Sequence, residues 1–183
     1  MRPTMRTLRS HRFSHAVLLA TLCTAGLALG DHGDDDDNDH DTRRALPVVT
    51  QPQWANECAS CHMLYPPALL PERSWRAMMG GLDKHFGENA QLDAPTRDAI
   101  TAFLVNNSAD HVTNERANRL AQSIPANVTP LRITQTRLFV RNHDELRPAV
   151  FARTAVGSKA NCMACHRGAE KGVFSEHEVR IPR

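Results

Sequence analysis

Two pentapeptides carry the chemistry available to this chain, Cys58-Ala-Ser-Cys61-His62 and Cys162-Met-Ala-Cys165-His166. Two thiols three positions apart, followed by an imidazole, form the c-type haem attachment pattern. The thiols reach the two vinyl groups of one haem, and the adjoining histidine turns beneath the plane so that a ring nitrogen meets the iron. The same thiols have rival uses. A four-thiolate zinc site would take both pairs and ignore the histidines, a thioredoxin-like pair needs a βαβ context that the chain lacks, and two plain disulfides would suit an exported protein. With 10 His among 183 residues, a histidine after both pairs arises by chance in about 0.3% of cases. Two covalently bound haems c are therefore expected, with Cys58, Cys61, Cys162 and Cys165 as attachment points and His62 and His166 as iron ligands.

Short elements must position these residues. Ser74 opens a helical stripe of Trp75, Met78, Met79, Leu82 and Phe86, weakened by Gly80 and Gly81 and ended by Gly87. A second helix starts at Asp93 or Thr96, has Pro95 in its first turn, directs Ile100, Phe103 and Leu104 inward and frays at Asn106 and Asn107. A third is expected from Asn114 to Ser123, stopped by Pro125. Between Pro125 and Arg137 the chain is punctuated by prolines around a short alternating run, which reads as a linker or brief extended segment and as the domain boundary. The expected fold is mostly α with short loops and little or no β: two small haem domains, residues 47–124 and 125–183.

Composition excludes several classes. A mean hydropathy of -0.44 with one short apolar run rules out a polytopic membrane protein, and 9 Gly with 11 Pro is far from a collagen-like chain. Only 5% of residues are aromatic, few large side chains with which to fill a core. Each haem would itself be a large apolar disc around which a small domain condenses.

Residues 1–30 read as a cleaved signal peptide. Arg2, Arg6, Arg9 and Arg12 form a basic start, Ala16 to Leu29 is apolar but short for a bilayer span, and Ala28 and Gly30 are the small residues a signal peptidase reads. Cleavage is expected after Gly30, with an uncleaved anchor as the alternative; Cys23 has no lipobox before it. Export to the periplasm follows. Loss of the four arginines takes the basic count from 22 to 18 against 20 acidic residues, and the basic residues are scattered singly, so no nucleic-acid partner is expected. Residues 31–46 read as a solvated acidic tail, because Asp31 to Asp41 holds seven Asp and two His and cannot bury apolar surface. Weak divalent-metal binding by His32 and His40 would lack a fixed coordinating turn. The body beyond the tail is mildly basic, which suits an acidic partner.

The sequence resembles the dihaem cytochromes c that partner an oxygen-binding monohaem cytochrome called sphaeroides haem protein. The resemblance lies in ECASCHMLYPPALLPERSWRAMMGGLDKHFG (Glu57 to Gly87), NSAD (Asn107 to Asp110), RITQTRLFVRNHDEL (Arg132 to Leu146) and NCMACHRGAEKGVF (Asn161 to Phe174). It implies a periplasmic electron carrier with two haem domains, the first similar to class I cytochromes c. It further implies low-spin irons held by two histidines each, and as redox partners that monohaem protein and a membrane b-type cytochrome.

The sixth ligands separate a carrier from an enzyme, since an iron with two protein ligands is closed to substrate whereas an open position admits peroxide, nitrite or oxygen. For the first haem the candidates are His85, Met78 and Met79. His85 falls about two turns beyond Met78 on the same helical stripe and matches the family pattern. For the second, His143 matches, with Asp144 and Glu145 as candidates to orient its other ring nitrogen; His111 and His177 are the alternatives. Arg137, Arg141 and Arg147 are candidate partners for haem propionates. A transfer-only carrier is the leading reading. A dihaem peroxidase or thiosulfate dehydrogenase, and a ligand-sensing haem module, are the alternatives.

Overall fold

The computed structural model describes residues 45–183; the expected signal peptide and the run Asp31 to Asp41 lie outside the described residues. Six helices occur among the described residues: α1 Pro52–Cys58, α2 Glu72–Met79, α3 Ala94–Asn106, α4 Glu115–Ser123, α5 Arg137–Asn142 and α6 Pro148–Phe151. Five 3-10 turns lie between and after them, among them Leu82–Lys84 and Cys162–Ala164. No strand is present among the described residues, only the isolated bridges His85 to Glu88 and His166 to Val179. The fold is mostly helical, as expected.

Capping explains where two of the helices start. Asp93 accepts the Thr96 N–H at 3.0 Å and opens α3, and Asn114 accepts the N–H groups of Arg116 and Ala117 and opens α4. The stripe beginning at Ser74 behaves differently from its expectation. The helix begins earlier, at Glu72 after Pro71, and stops at Met79, where the Gly80 N–H bonds back to the Arg76 carbonyl. Two consecutive glycines cost about 1 kcal/mol each in a helix interior, so the chain leaves α2 there and reforms as the 3-10 turn Leu82–Lys84. Leu82 is still buried, but His85 is presented by a turn and not by a helical face. Helix α1 was not anticipated; Pro52 in its first turn presets the backbone, and Trp54 is its buried anchor.

Two apolar clusters form the core. One gathers Trp54, Leu70, Trp75, Met79, Leu82, Ile100, Leu104 and Val105 from α1, α2 and α3, with Cys58 packed against it. The indole N–H of Trp75 donates to the Pro67 carbonyl at 2.8 Å, so the ring is buried without an orphaned donor. The second joins Leu46, Ala68, Leu69, Ala109, Ala117, Leu120 and Ile124. Leu46, the end of the segment read as solvated tail, is 2% exposed, and its N–H bonds to the Gly172 carbonyl at 3.0 Å. Beyond Ile124, the only buried hydrophobic residues among those described are Val156 and Ala169. The chain from Pro125 onward has almost no protein core of its own.

One surface cluster ties α2 to the turn after α3. Asp110 accepts the Glu72 N–H at 2.8 Å and the Ser108 hydroxyl at 2.6 Å. Burial pushes the Asp110 carboxyl up, but these bonds outweigh it and hold the group below its ordinary value of 3.8. Such a group stabilises the fold above its unfolded pKa, and that contribution is lost as pH falls through the lower folded value. Melting curves taken from about pH 5 down to about pH 3 should therefore fall less steeply for Asp110→Asn than for the parent chain. An identical slope would deny Asp110 this role.

Candidate haem sites

Cys58 closes α1, and Cys61 and His62 follow in the turn beyond it. The His62 Nδ1 lies 2.7 Å from the Met63 carbonyl. Donation there leaves Nε2 as the free lone pair, the arrangement that orients a ligating imidazole. His85 faces it: the two ring centres are 6.2 Å apart with planes at 33°. The turn that presents His85 continues through Phe86 and Gly87, both with positive φ, at 56° and 111°. A phenylalanine in that region is strained, and its ring is held between His85, centre to centre 4.8 Å, and the Arg132 guanidinium, 3.9 Å from its centre. Burial, with the neighbouring His62 and Arg132 charges, holds His85 below the usual histidine range.

The second motif is built from shorter pieces. Cys162 opens a 3-10 turn, Cys165 ends it, and His166 follows. Thr136 caps α5 by accepting the Phe139 N–H, and His143 sits at the far end of that helix. The His143 Nδ1 lies 2.8 Å from the Phe139 carbonyl, and its ring stacks on Phe139 with centres 4.0 Å apart. Asp144 and Glu145, the expected orienting groups, are exposed; the helix carbonyl four residues back does that work instead. His143 and His166 have ring centres 6.1 Å apart with planes at 74°. Burial, then the His143 and Arg116 charges, lowers the pKa of His166. Its Nδ1 is buried without a hydrogen-bond partner among the described residues.

The other candidates are placed elsewhere. Met79 is a core residue and Met78 packs against the same cluster. His111 is paired with Glu72 at 2.7 Å, and His177 is exposed. Arg137, Arg141 and Arg147 are exposed on and after α5.

The rival chemistries fit poorly. No three histidines, cysteines or carboxylates among the described residues converge as a metal-ion site, which a four-thiolate zinc centre would require. A redox-active CxxC pair needs a thiol with lowered pKa. Here burial pushes Cys162 up to about 11 and raises Cys58 and Cys165 as well.

A haem fits both places. Each imidazole nitrogen of a two-histidine iron lies about 2 Å from the metal and about 1.2 Å in front of its ring centre, so the ring centres are about 6.3 Å apart. Both histidine pairs match that spacing. The chain beyond Pro125, with almost no core of its own, supplies the second argument: Phe139 and Phe151 lie against His143 and Phe174 against His166, apolar surface beside the second motif that a disc held by Cys162 and Cys165 would cover.

A small helical chain with two CxxCH motifs, each facing a further histidine, defines the class of c-type haem proteins that move electrons. Comparison with known proteins narrows the class. The family model for dihaem cytochrome c matches residues 54–174, a span containing both motifs. Among solved structures, the chain is similar to a dihaem cytochrome c from Rhodobacter sphaeroides, with 47% identity and a TM-score of 0.61 over 69% of this chain and 98% of that one. It is also similar to a dihaem cytochrome c from Shewanella baltica, with 37% identity and a TM-score of 0.58 over 72% of this chain and 92% of that one. No protein of curated function matches the sequence. The chain belongs to the dihaem cytochrome c family. It is an electron-transfer haem protein with two covalently bound c-type haems.

Proposed function

We propose that the protein is a periplasmic carrier, exported with a cleaved signal peptide, that passes electrons between a membrane b-type cytochrome and a soluble monohaem cytochrome similar to sphaeroides haem protein. Cys58 and Cys61 would attach one haem and Cys162 and Cys165 the other; His62 with His85, and His143 with His166, would hold the two irons. The observation that carries this reading is the spacing of the two histidine pairs, 6.2 and 6.1 Å between ring centres, which suits one iron between each pair.

When bound, each haem supplies a reversible one-electron couple. The chain's own residues set how that couple behaves. His62 and His143 donate from Nδ1 to backbone carbonyls, which makes each Nε2 a better donor and favours the oxidised state. Imidazole in place of thioether sulfur lowers the potential further. Ligation by His85 and His143 as well would leave neither iron a position for peroxide or another substrate, which would separate the carrier from a dihaem peroxidase or thiosulfate dehydrogenase. The exposed Arg137, Arg141 and Arg147 suit an acidic docking partner.

The test is carbon monoxide. Dithionite-reduced holoprotein at neutral pH should give the same spectrum with and without the gas. Rapid uptake of one equivalent per chain would remove one of the two ligand assignments and return the enzyme reading.

A further inference from the structure

We infer that Phe86, braced by the Arg132 guanidinium, fixes the plane of the His85 ring, so that a residue from beyond Pro125 positions a ligand of the first haem. The inference rests on the haem assignment proposed above. His62 and His143 are each oriented by a backbone carbonyl, at 2.7 and 2.8 Å from Nδ1. His85 has no such partner: neither of its ring nitrogens makes a hydrogen bond among the described residues. An imidazole that binds iron through one nitrogen can still turn about that bond, and where the other nitrogen is not held, packing must choose the plane. Apart from His62 across the site, the aromatic ring in contact with His85 is Phe86, centre to centre 4.8 Å with planes at 55°.

The backbone at Phe86 supports the same role. Phe86 is the one non-glycine residue with positive φ among those described, at 56°. Glycine takes positive φ without strain, as Gly87 does beside it, whereas strain at a bulkier residue is kept where the surroundings use it. Core packing does not account for the phenylalanine, because it is 44% exposed. What its ring touches is His85 and Arg132, whose guanidinium carbon lies 3.9 Å from the ring centre, within cation–π range. Arg132 is itself anchored. It precedes the 3-10 turn Ile133–Gln135, its carbonyl accepts the Gln135 N–H at 3.0 Å, and Ile133 packs against both apolar clusters. A path of contacts therefore starts at the core, passes through Arg132 and Phe86 and ends on the imidazole of His85. Both are positioning residues, acting on the ligand and not on the iron.

Phe86→Leu keeps an apolar side chain on the same backbone and removes the aromatic face, while Arg132→Gln keeps a polar side chain and removes the cation. The oxidised holoproteins are compared with the parent by low-temperature electron paramagnetic resonance, with haem content per chain and the thermal midpoint measured on the same samples. The second site is the internal reference. The expected result is two haems and a near-parental midpoint in both variants, with a shifted and broadened low-spin signal from the iron of the pair now at 33° and an unchanged signal from that of the pair at 74°. The shift should be larger in Phe86→Leu than in Arg132→Gln, and Arg132→Lys, which keeps a cation for the ring, should lie closer to the parent. Both signals unchanged in Phe86→Leu and Arg132→Gln would overturn the inference, and so would equal shifts at the two sites, the mark of a general loosening. A high-spin first iron in the parental protein would instead defeat the ligand assignment on which the inference rests.

Discussion

A chain in which Cys162 and Cys165 are both replaced by alanine is expected to carry one haem instead of two and to lose the ordered structure of residues 125–183 while keeping that of α1 to α4. The reason is the distribution of buried apolar surface. The cluster around Trp54, Trp75, Ile100 and Leu104 and the one around Leu69, Ala117 and Leu120 draw all their buried members from residues up to Ile124. Beyond that point, only Val156 and Ala169 are buried hydrophobics among the described residues, and Ile133, Leu138 and Phe174 merely lean on the earlier clusters. Emptying a core position of a large aromatic ring costs about 3–5 kcal/mol, and a haem is larger than any side chain. A stretch with so little else to hold it has no reserve against a loss of that size. The measurement is haem content together with limited proteolysis: cleavage should concentrate in residues 125–183 and spare the first half. A double variant that resists protease as well as the parent would mean that the second half folds on protein contacts alone.

The second large effect concerns the ligands opposite the CxxCH histidines. His143→Gly should convert one of the two irons to high spin and raise carbon monoxide uptake by the reduced protein from none to one equivalent per chain, and His85→Gly should do the same at the other site. Glycine opens a cavity at the vacated face and leaves no side chain able to replace the imidazole. At the first site, Met79 is held in the core and Met78 packs against it. His111 is engaged with Glu72 at 2.7 Å, so neither it nor the methionines is placed to substitute. Added imidazole should restore the low-spin spectrum in either variant. A variant whose spectrum is untouched would show that the wrong histidine has been assigned.

Much of this was legible in the sequence, for identifiable reasons. The attachment motifs are local, five residues each, and the caps Asp93 and Asn114 act on N–H groups two or three residues away, so both could be read without the fold. The stripe from Ser74 to Phe86 was misjudged because periodicity was allowed to run through Gly80 and Gly81, where backbone freedom ends the helix. His85 was still singled out, but on the family resemblance more than on the helical spacing first used to support it. Acidic neighbours were expected to orient His143; the carbonyl of Phe139 does so, and spacing of four residues at a helix end was the available signal. The Arg132 guanidinium left no such trace. Only the fold brings it from beyond Pro125 to the Phe86 ring.

The central claim is that both irons are closed by two histidines, and the low-temperature electron paramagnetic resonance spectrum of the fully oxidised protein tests it most directly. Ring planes at 33° and 74° would put two-histidine irons in different spectroscopic classes. An iron held by the pair at 33° should give an ordinary rhombic low-spin signal, and one held by the pair at 74° a strongly anisotropic signal with a single large g value. The account predicts both signals in equal amounts and no high-spin component. A high-spin signal amounting to one iron per chain would contradict it.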